Sequence, residues 1–403
     1  MSRFIISGGG TGGHVYPAIA IAQRIKLNDP DADILFIGAL GKLEMDKVPA
    51  AGFRIEGLPV AGFIRRVTWK NLTFPFKLMK SLRRAKKMIA SFKPDVVIGV
   101  GGYASGPTLR VATSAGIPSL IQEQNSFPGV TNRLLGERVN RICVAYTGMD
   151  RYFPKDKIVL TGNPVRSDLV DLKDHLPEAY THFGLNPAKK TLLVMGGSGG
   201  AKTINNSILT LLEQGLPEDV QLLWQTGKYY YEEVQGKLAD AGYGIRDAGY
   251  EIRDTGYRIR DAGYRIRDNR SPIANLGSRI TSFIDRMDLA YSCADLVVSR
   301  AGAIAISELC LVGKPVILIP SPNVAEDHQT KNAMALVHQE AAVMIHDNEA
   351  SKVLPDMVKK LMADNELRDN LGRRIRLLAI PDAAEQIAEE VFLLVKPKGG
   401  RYE

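Results

Sequence analysis

Two apolar, β-branched runs empty straight into glycine clusters, "RFIISGGGTGGH" at residues 3–14 and "TLLVMGGSGG" at residues 191–200. A strand that ends in a glycine loop and resumes as a helix belongs to a parallel sheet, because the return to the next parallel strand needs a covering crossover. The rhythm recurs. "DILFIGA", "DVVIGVGGY", "PSLIQEQN", "RICVAY" and "KIVLTGNP" follow the first cluster, and "QLLWQTG", "RITSFID", "DLVVSRAGA" and "PVILIPSP" follow the second. Continuous rather than alternating apolar runs predict strands buried on both faces. The spacing therefore predicts an α/β chain of two Rossmann-like, doubly wound parallel-sheet domains, residues 1–163 and 164–378. The remaining stretch, 379–403, contains "DAAEQIAEEVFLLVKP", a helical pattern long enough to pack back on the first domain. A length of 403 residues suits two cores better than one.

The first loop fits G-x-G-x-x-G through Gly8, Gly10 and Gly13 and precedes the helix-forming "PAIAIAQRIK". Such a loop cradles phosphate, since glycine lets the backbone approach and a helix start presents free N–H groups. A dinucleotide-binding oxidoreductase would also need an acid at the end of the second strand to hold a ribose. "LFIGALGKLE" has Gly38 and Ala39 there instead. The second loop, "GGSGGAKT", nearly forms a nucleoside-triphosphate loop, but Ala201 stands where that loop requires glycine. The reading that uses both loops sets them face to face across a cleft, with a nucleotide-sugar between them. Ligands of parallel sheets collect beyond the carboxyl ends of the strands, where His14, Tyr103, Glu123, Asn125, Arg166, Ser198 and Glu308 all fall. "SRAGAIAISELCLVGKP" turns from strand to helix through Gly302 and Ala303, a start suited to a diphosphate. Glu308, one turn in, suits two ribose hydroxyls. Arg166 and the helix start balance the diphosphate charge, so neither metal nor cofactor is predicted. Asp31 and Asp33 precede their strand, at the wrong end of the sheet for a metal role.

The net charge of +8 is local: residues 57–94 hold ten Lys or Arg and no acid, and the rest of the chain sums to −2. Within "FIRRVTWKNLTFPFKLMKSLRRAKKMIA", aromatic Trp69, Phe74 and Phe76 stand in a cationic block that includes Lys80, Arg83, Arg84, Lys86 and Lys87. Aromatic rings flanked by cations predict docking on an anionic membrane surface. No stacking module accompanies the charge, so nucleic acid is not the predicted partner. No apolar run approaches the ~18 residues of a membrane span, and the N-terminus has no leader pattern; a cytoplasmic protein is predicted. Cys143, Cys293 and Cys310 match no metal or redox spacing and read as buried, reduced thiols. Residues 241–268 are four copies of a seven-residue unit, "AGYGIRD", "AGYEIRD", "TGYRIRD" and "AGYRIRD". They read as a surface insertion or a small repetitive β element, because one glycine per unit weakens helix and strand alike.

"GGGTGGHVYPAIAIA", "GVGGYASGP", "EQNSFPGVTNRLL", "TGNPVR", "GGSGGAKTIN", "FIDRM", "RAGAIAISEL" and "EDHQTKNA" occur in this order. Together they resemble the bacterial peptidoglycan N-acetylglucosaminyltransferases, inverting GT-B enzymes of glycosyltransferase family 28. The resemblance spans almost the whole chain except the heptad repeats. It implies that the C-terminal domain holds UDP-N-acetylglucosamine, with Ile284 against the uracil and Glu308 on the ribose. Ser198 and the segment Ala303, Ile304, Ala305, Ile306 and Ser307 would meet the diphosphate, with Arg166 nearby. Gln329, Asn332 and Asn125 would face the sugar, while Thr11, Gly12 and Gly13 close on donor and acceptor. Many members have threonine where this chain has Ala305.

The implied reaction joins C1 of N-acetylglucosamine to the C4 hydroxyl of N-acetylmuramic acid on undecaprenyl diphosphate (lipid I), giving a β1→4 product, lipid II. Inversion needs one in-line displacement with a base on the acceptor side. His14 is the expected base, and Glu123 its rival or a structural partner of the loop. Gly102, Tyr103 and Ser105 belong to the expected acceptor side, on the N-terminal, membrane-docking domain. The implied location is peripheral, at the cytoplasmic face of the plasma membrane. A non-transferase GT-B relative such as a UDP-sugar epimerase is the alternative, although an epimerase has no use for the basic-aromatic block.

Overall fold

A computed structural model of the chain describes residues 1–10, 12–60, 74–165, 169, 172–197, 199–243, 278–324 and 327–395. The chain divides into two compact units: Met1–Ser167 with Gly302–Glu308 and Ile380–Glu403, and Asp168–Ala301 with Leu309–Ala379.

The first unit is built on strands β1 (Arg3–Ser7), β2 (Asp33–Ala39), β3 (Arg54–Leu58), β4 (Val96–Gly99), β5 (Ser119–Glu123), β6 (Arg141–Val144) and β7 (Ile158–Leu160). Their order is β3-β2-β1-β4-β5-β6-β7, and every pairing is parallel. Helices α1 (Gly12–Asn28), α2 (Glu44–Ala50), α3 (Phe74–Phe92), α4 (Ser105–Ser114) and α5 (Val130–Gly136) cover it. Because side chains alternate along a strand, β1 sends Phe4 and Ile6 to one face and Ile5 to the other. Phe4 and Ile6 meet Ile21 and Ile25 of α1, and Ile387 and Val391 of the C-terminal helix Ala383–Leu393. Ile5 meets Met88 and Ile89 of α3 and Leu109 of α4. The C-terminal helix is pinned further by an edge-to-face contact between Phe4 and Phe392 at 5.8 Å. Arg24–Glu385 and Arg141–Glu390 ion pairs, at 3.0 and 3.1 Å, flank it.

The second unit repeats the plan with β8 (Lys190–Met195), β9 (Val220–Gln225), β10 (Arg279–Thr281), β11 (Leu296–Ser299), β12 (Val316–Leu318) and β13 (Val343–Met344). The order is β10-β9-β8-β11-β12-β13, again all parallel. Its described helices are α6 (Leu176–Phe183), α7 (Lys202–Glu213), α8 (Tyr231–Asp240), α9 (Met287–Cys293), α11 (His328–Val337), α12 (Ala350–Ala363) and α13 (Asn365–Arg376). Helix α10 (Ala303–Val312) contributes to both units. Trp224 is fully buried between sheet and α7, where its indole N–H donates to Asn205 Oδ1 at 3.1 Å.

The apolar runs read from sequence become β1, β2, β4 to β7 and β8 to β12. Strands β3 and β13 are not among those runs, and both lie at sheet edges. An edge strand buries one flank only, so Arg54 and Glu56 stay exposed in β3 and no continuous apolar stretch is required. The heptad repeats lie outside the described residues from position 244 onward.

Cys143, Cys293 and Cys310 are free and buried. Burial pushes the thiols of Cys293 and Cys310 up to about 12, and that of Cys143 higher still. The native protein is therefore expected to show no reaction with a thiol reagent at pH 8, and three thiols after unfolding in guanidinium. A thiol that titrates at once in the native state would contradict this packing.

Candidate active site

In both sheets the strand order reverses beside a glycine loop, between β1 and β4 and between β8 and β11. These are the topological switch points at which doubly wound sheets open a crevice beyond their strand ends.

At the first switch point the loop after β1 lies against the loop after β4. The Gly9 N–H donates to the Gly101 carbonyl at 3.3 Å. Gly102 has a φ of +83°, and a Cβ there would sit 2.1 Å from the Gly9 carbonyl oxygen. Only glycine permits that approach. His14, the third residue of α1, is half-buried, and its ring fills the space over Gly101. A Cβ on Gly101 would come within 2.7 Å of its Cδ2 and 2.8 Å of its Nε2. The imidazole is thus bedded on backbone at the mouth of the crevice.

Sequence reasoning missed the residue that braces this loop. Glu44, the first residue of α2, is 1% exposed. One carboxylate oxygen accepts from the Gly10 N–H at 2.7 Å and the other from the Ala39 N–H at 2.9 Å. Its carboxyl also occupies the space that a Cβ on Gly9 would need. The available signal was the acid in "GALGKLE", five residues past the end of β2 rather than at it. It holds the loop, not a ribose.

Glu123 ends β5 and is buried, with both oxygens occupied. Oε1 accepts from the Asn125 N–H at 3.0 Å and its side-chain amide at 3.3 Å. Oε2 accepts from the Gly129 N–H at 3.1 Å and Asn132 Nδ2 at 2.8 Å. Burial raises its pKa above the usual carboxylate value, and these hydrogen bonds oppose the rise. Its visible work is to hold the loop that carries Asn125. Tyr103 is half-exposed and lies within about 4 Å of the position of a Cβ on Gly10. Ser105 is fully buried, its hydroxyl turned under Gly99 and away from solvent. Of the three residues assigned to the acceptor side, Gly102 and Tyr103 reach the surface. Asn163 Nδ2 donates to the Gln124 carbonyl at 3.0 Å and to the Ser307 hydroxyl at 3.1 Å.

At the second switch point the loop after β8 lies against the loop after β9. A Cβ on Gly200, φ +79°, would sit 2.1 Å from the Thr226 carbonyl. Gln225, the last residue of β9, donates to the Gly197 carbonyl at 3.1 Å and accepts from the Ile284 N–H at 2.9 Å. That amide ties the glycine loop to the residue expected beside the uracil. Ile284 itself is buried. Ala303, Ile304, Ala305, Ile306, Ser307 and Glu308 form the first turns of α10, with Ala303, Ile306 and Glu308 buried. Gln329 accepts from the Ser321 N–H at 2.8 Å, and fully buried Asn332 donates to the Ala301 carbonyl at 3.5 Å. Gly12 and Gly13 open α1. Thr11, Arg166, Ser198 and Trp69 lie outside the described residues, as does the side chain of Phe74.

On α3, Phe76, Lys80, Arg83, Arg84, Lys86 and Lys87 are exposed, whereas Ala85, Met88 and Ile89 face the core. No helix among the described residues is long and apolar enough to cross a membrane.

Comparisons with known proteins bear on the family and the fold. The description of the glycosyltransferase family 28 N-terminal domain matches residues 4–144, and that of the family's C-terminal domain matches residues 259–387. A Parabacteroides distasonis protein is 52% identical over 98% of this chain and 99% of its own length. It is described as UDP-N-acetylglucosamine--N-acetylmuramyl-(pentapeptide) pyrophosphoryl-undecaprenol N-acetylglucosamine transferase. The crystal structure of Acinetobacter baumannii MurG superposes with a TM-score of 0.71 at 26% identity, covering 98% of this chain and all of that one. A Neisseria meningitidis UDP-GlcNAc 2-epimerase bound to UDP-GlcNAc gives 0.65 at 12% identity, covering 98% and 100%, which is a likeness of fold alone. The two parallel-sheet units and these neighbours make the fold GT-B. With both halves matched and half of its residues shared with a full-length relative, the chain belongs to glycosyltransferase family 28.

Proposed function

We propose that this chain transfers N-acetylglucosamine from its UDP derivative to the C4 hydroxyl of N-acetylmuramyl-(pentapeptide) pyrophosphoryl-undecaprenol, with inversion at C1. The observation that carries the reading is 52% identity, over 98% of the chain, to a relative described as that transferase. The 12%-identical epimerase shares only the fold and gives the alternative no comparable support.

In this reading Ile284 lies beside the uracil, Glu308 takes the ribose, and the loop at Ser198 and the start of α10 meet the diphosphate. Arg166 adds charge, and Gln329, Asn332 and Asn125 orient the sugar. The acceptor hydroxyl oxygen forms its bond to C1 as the C1–O bond to the β-phosphate breaks. Its proton passes to His14, and the electron pair leaves with UDP. Free N–H groups at the start of α10 stabilise the charge that builds there. Glu123 positions Asn125 by holding its loop. The deciding experiment is incubation with radiolabelled UDP-N-acetylglucosamine and a lipid I analogue. A β1→4-linked product is expected; epimerised UDP-sugar without transfer would overturn the reading.

An acceptor with an undecaprenyl tail brings the enzyme to a bilayer, and α3 presents the means. Its exposed face carries Lys80, Arg83, Arg84, Lys86 and Lys87 with Phe76, Leu78 and Met79. Docking there places the protein peripherally, on the cytoplasmic leaflet. Each cation near an anionic surface contributes about 1 kcal/mol. Reversing Arg83, Arg84, Lys86 and Lys87 to glutamate is therefore expected to weaken partition onto phosphatidylglycerol vesicles at least roughly 10³-fold. Unchanged flotation would place the docking surface elsewhere.

A further inference from the structure

Four adjacent strands, β8, β11, β12 and β13, send their carboxyl ends to one edge of the second sheet. One pair of side chains reaches all four exits. Arg300 follows β11, and its guanidinium donates to the Ile319 carbonyl at 3.0 Å and the Pro320 carbonyl at 3.2 Å, just past β12. The same nitrogen also donates to Asp347 Oδ1, in the turn after β13. The other oxygen of Asp347 accepts from the hydroxyl of Thr203 at 2.9 Å. Thr203 is the second residue of α7, directly behind the glycine loop that follows β8. The side chains of Arg300 and Asp347 are 15% and 20% exposed, so water screens their pairing only in part.

We propose that Asp347 is a positioning residue for the diphosphate of a nucleoside-diphosphate sugar, joining the start of α7 to the segment that leads into α10. This rests on the donor-site reading given above. The argument is one of preorganisation. On that reading the glycine loop before α7 and the start of α10 both meet the diphosphate, and their benefit depends on a fixed spacing between them. Between these helices the chain runs through β9, α8, β10, α9 and β11, and the direct pairing of β8 with β11 ends at Met195 and Ser299. Thr203, Asp347 and Arg300 connect them through two side-chain contacts. Without that tie, the spacing would have to be restored on each binding event, at a cost in affinity. Helix α7 remains packed on the sheet through Ile204, Ile208 and Leu211, so loss of the tie leaves the fold standing.

The test measures UDP and uridine affinities by calorimetry on the full chain. Removing one hydrogen bond from a partly buried carboxylate is expected to raise the UDP dissociation constant roughly three- to tenfold in Thr203→Val. Asp347→Ala, which loses both partners, should raise it at least roughly tenfold. Uridine affinity should change less than about twofold in each, because uridine carries no diphosphate. Thr203→Ser, which keeps the hydroxyl, should restore UDP binding. Equal losses for UDP and uridine would show a merely structural role and overturn the proposal. So would tighter UDP binding in Asp347→Ala with Thr203→Val unchanged, which would mark Asp347 as a negative charge opposing phosphate. A wild-type chain that binds UDP, with variants that bind equally well, overturns this proposal alone. A wild-type chain that takes up neither ligand overturns the donor-site reading with it.

Discussion

Replacing His14 with alanine is expected to slow sugar transfer roughly 10²- to 10⁴-fold, the range for loss of a positioned general base. UDP affinity should stay within about twofold, since a base on the acceptor side contributes to the transition state and not to donor binding. The expectation follows from where the ring lies. It stands on α1, at the switch point of the first sheet, with Gly101 backbone beneath its Cδ2 and Nε2. A ring bedded on backbone loses little freedom when substrate arrives, so its placement is settled before reaction. Single-turnover transfer and UDP calorimetry on the same preparation separate the outcomes. If turnover and UDP affinity fell together, His14 would be a phosphate ligand and the base would have to be sought elsewhere.

Gly102→Ala should destabilise the protein by about 3 kcal/mol or more. Two penalties combine. A side chain at φ +83° costs about 1–2 kcal/mol in the left-handed region. The added carbon would also sit 2.1 Å from the Gly9 carbonyl oxygen, so one of the two loops must move. Gly116 is the matched control, with a φ of +68° and no atom within 4 Å of its would-be Cβ. Gly116→Ala carries the first penalty without the second. The difference between the two urea midpoints therefore measures the close approach alone. Against a total stability of about 5–15 kcal/mol, Gly102→Ala should leave a folded but weakened protein whose loops are displaced. Transfer should fall further than stability does. Equal midpoints for the two variants would mean that the loops after β1 and β4 do not touch in solution.

Much of the architecture was legible in the sequence because burial on both faces of a parallel strand leaves a local mark. "DILFIGA" is β2 residue for residue. Strand β3, where Arg54 and Glu56 interrupt any apolar run, and the two-residue β13 went unseen. The site divides similarly. Glycine loops and His14 stood out as residue types at telling spacings, and so did the helix start at Ala303. Glu44 and Asp347 did not, since an acid a few residues beyond a strand looks like any solvated loop residue.

What residue order determined, then, was which segments become strands and helices, where each glycine loop falls, and which family the chain resembles. These depend on propensity and apolar patterning within a few residues. What folding alone decided was the partners at the strand ends. Glu44 reaches the Gly10 N–H across 34 positions, His14 settles on Gly101, and Asp347 joins Thr203 to Arg300. Each contact exists only because a strand order of β3-β2-β1-β4 or β8-β11-β12-β13 brings distant loops to one edge. That order is set by how whole layers bury their faces, a property of the packed sheet that no short stretch of chain contains.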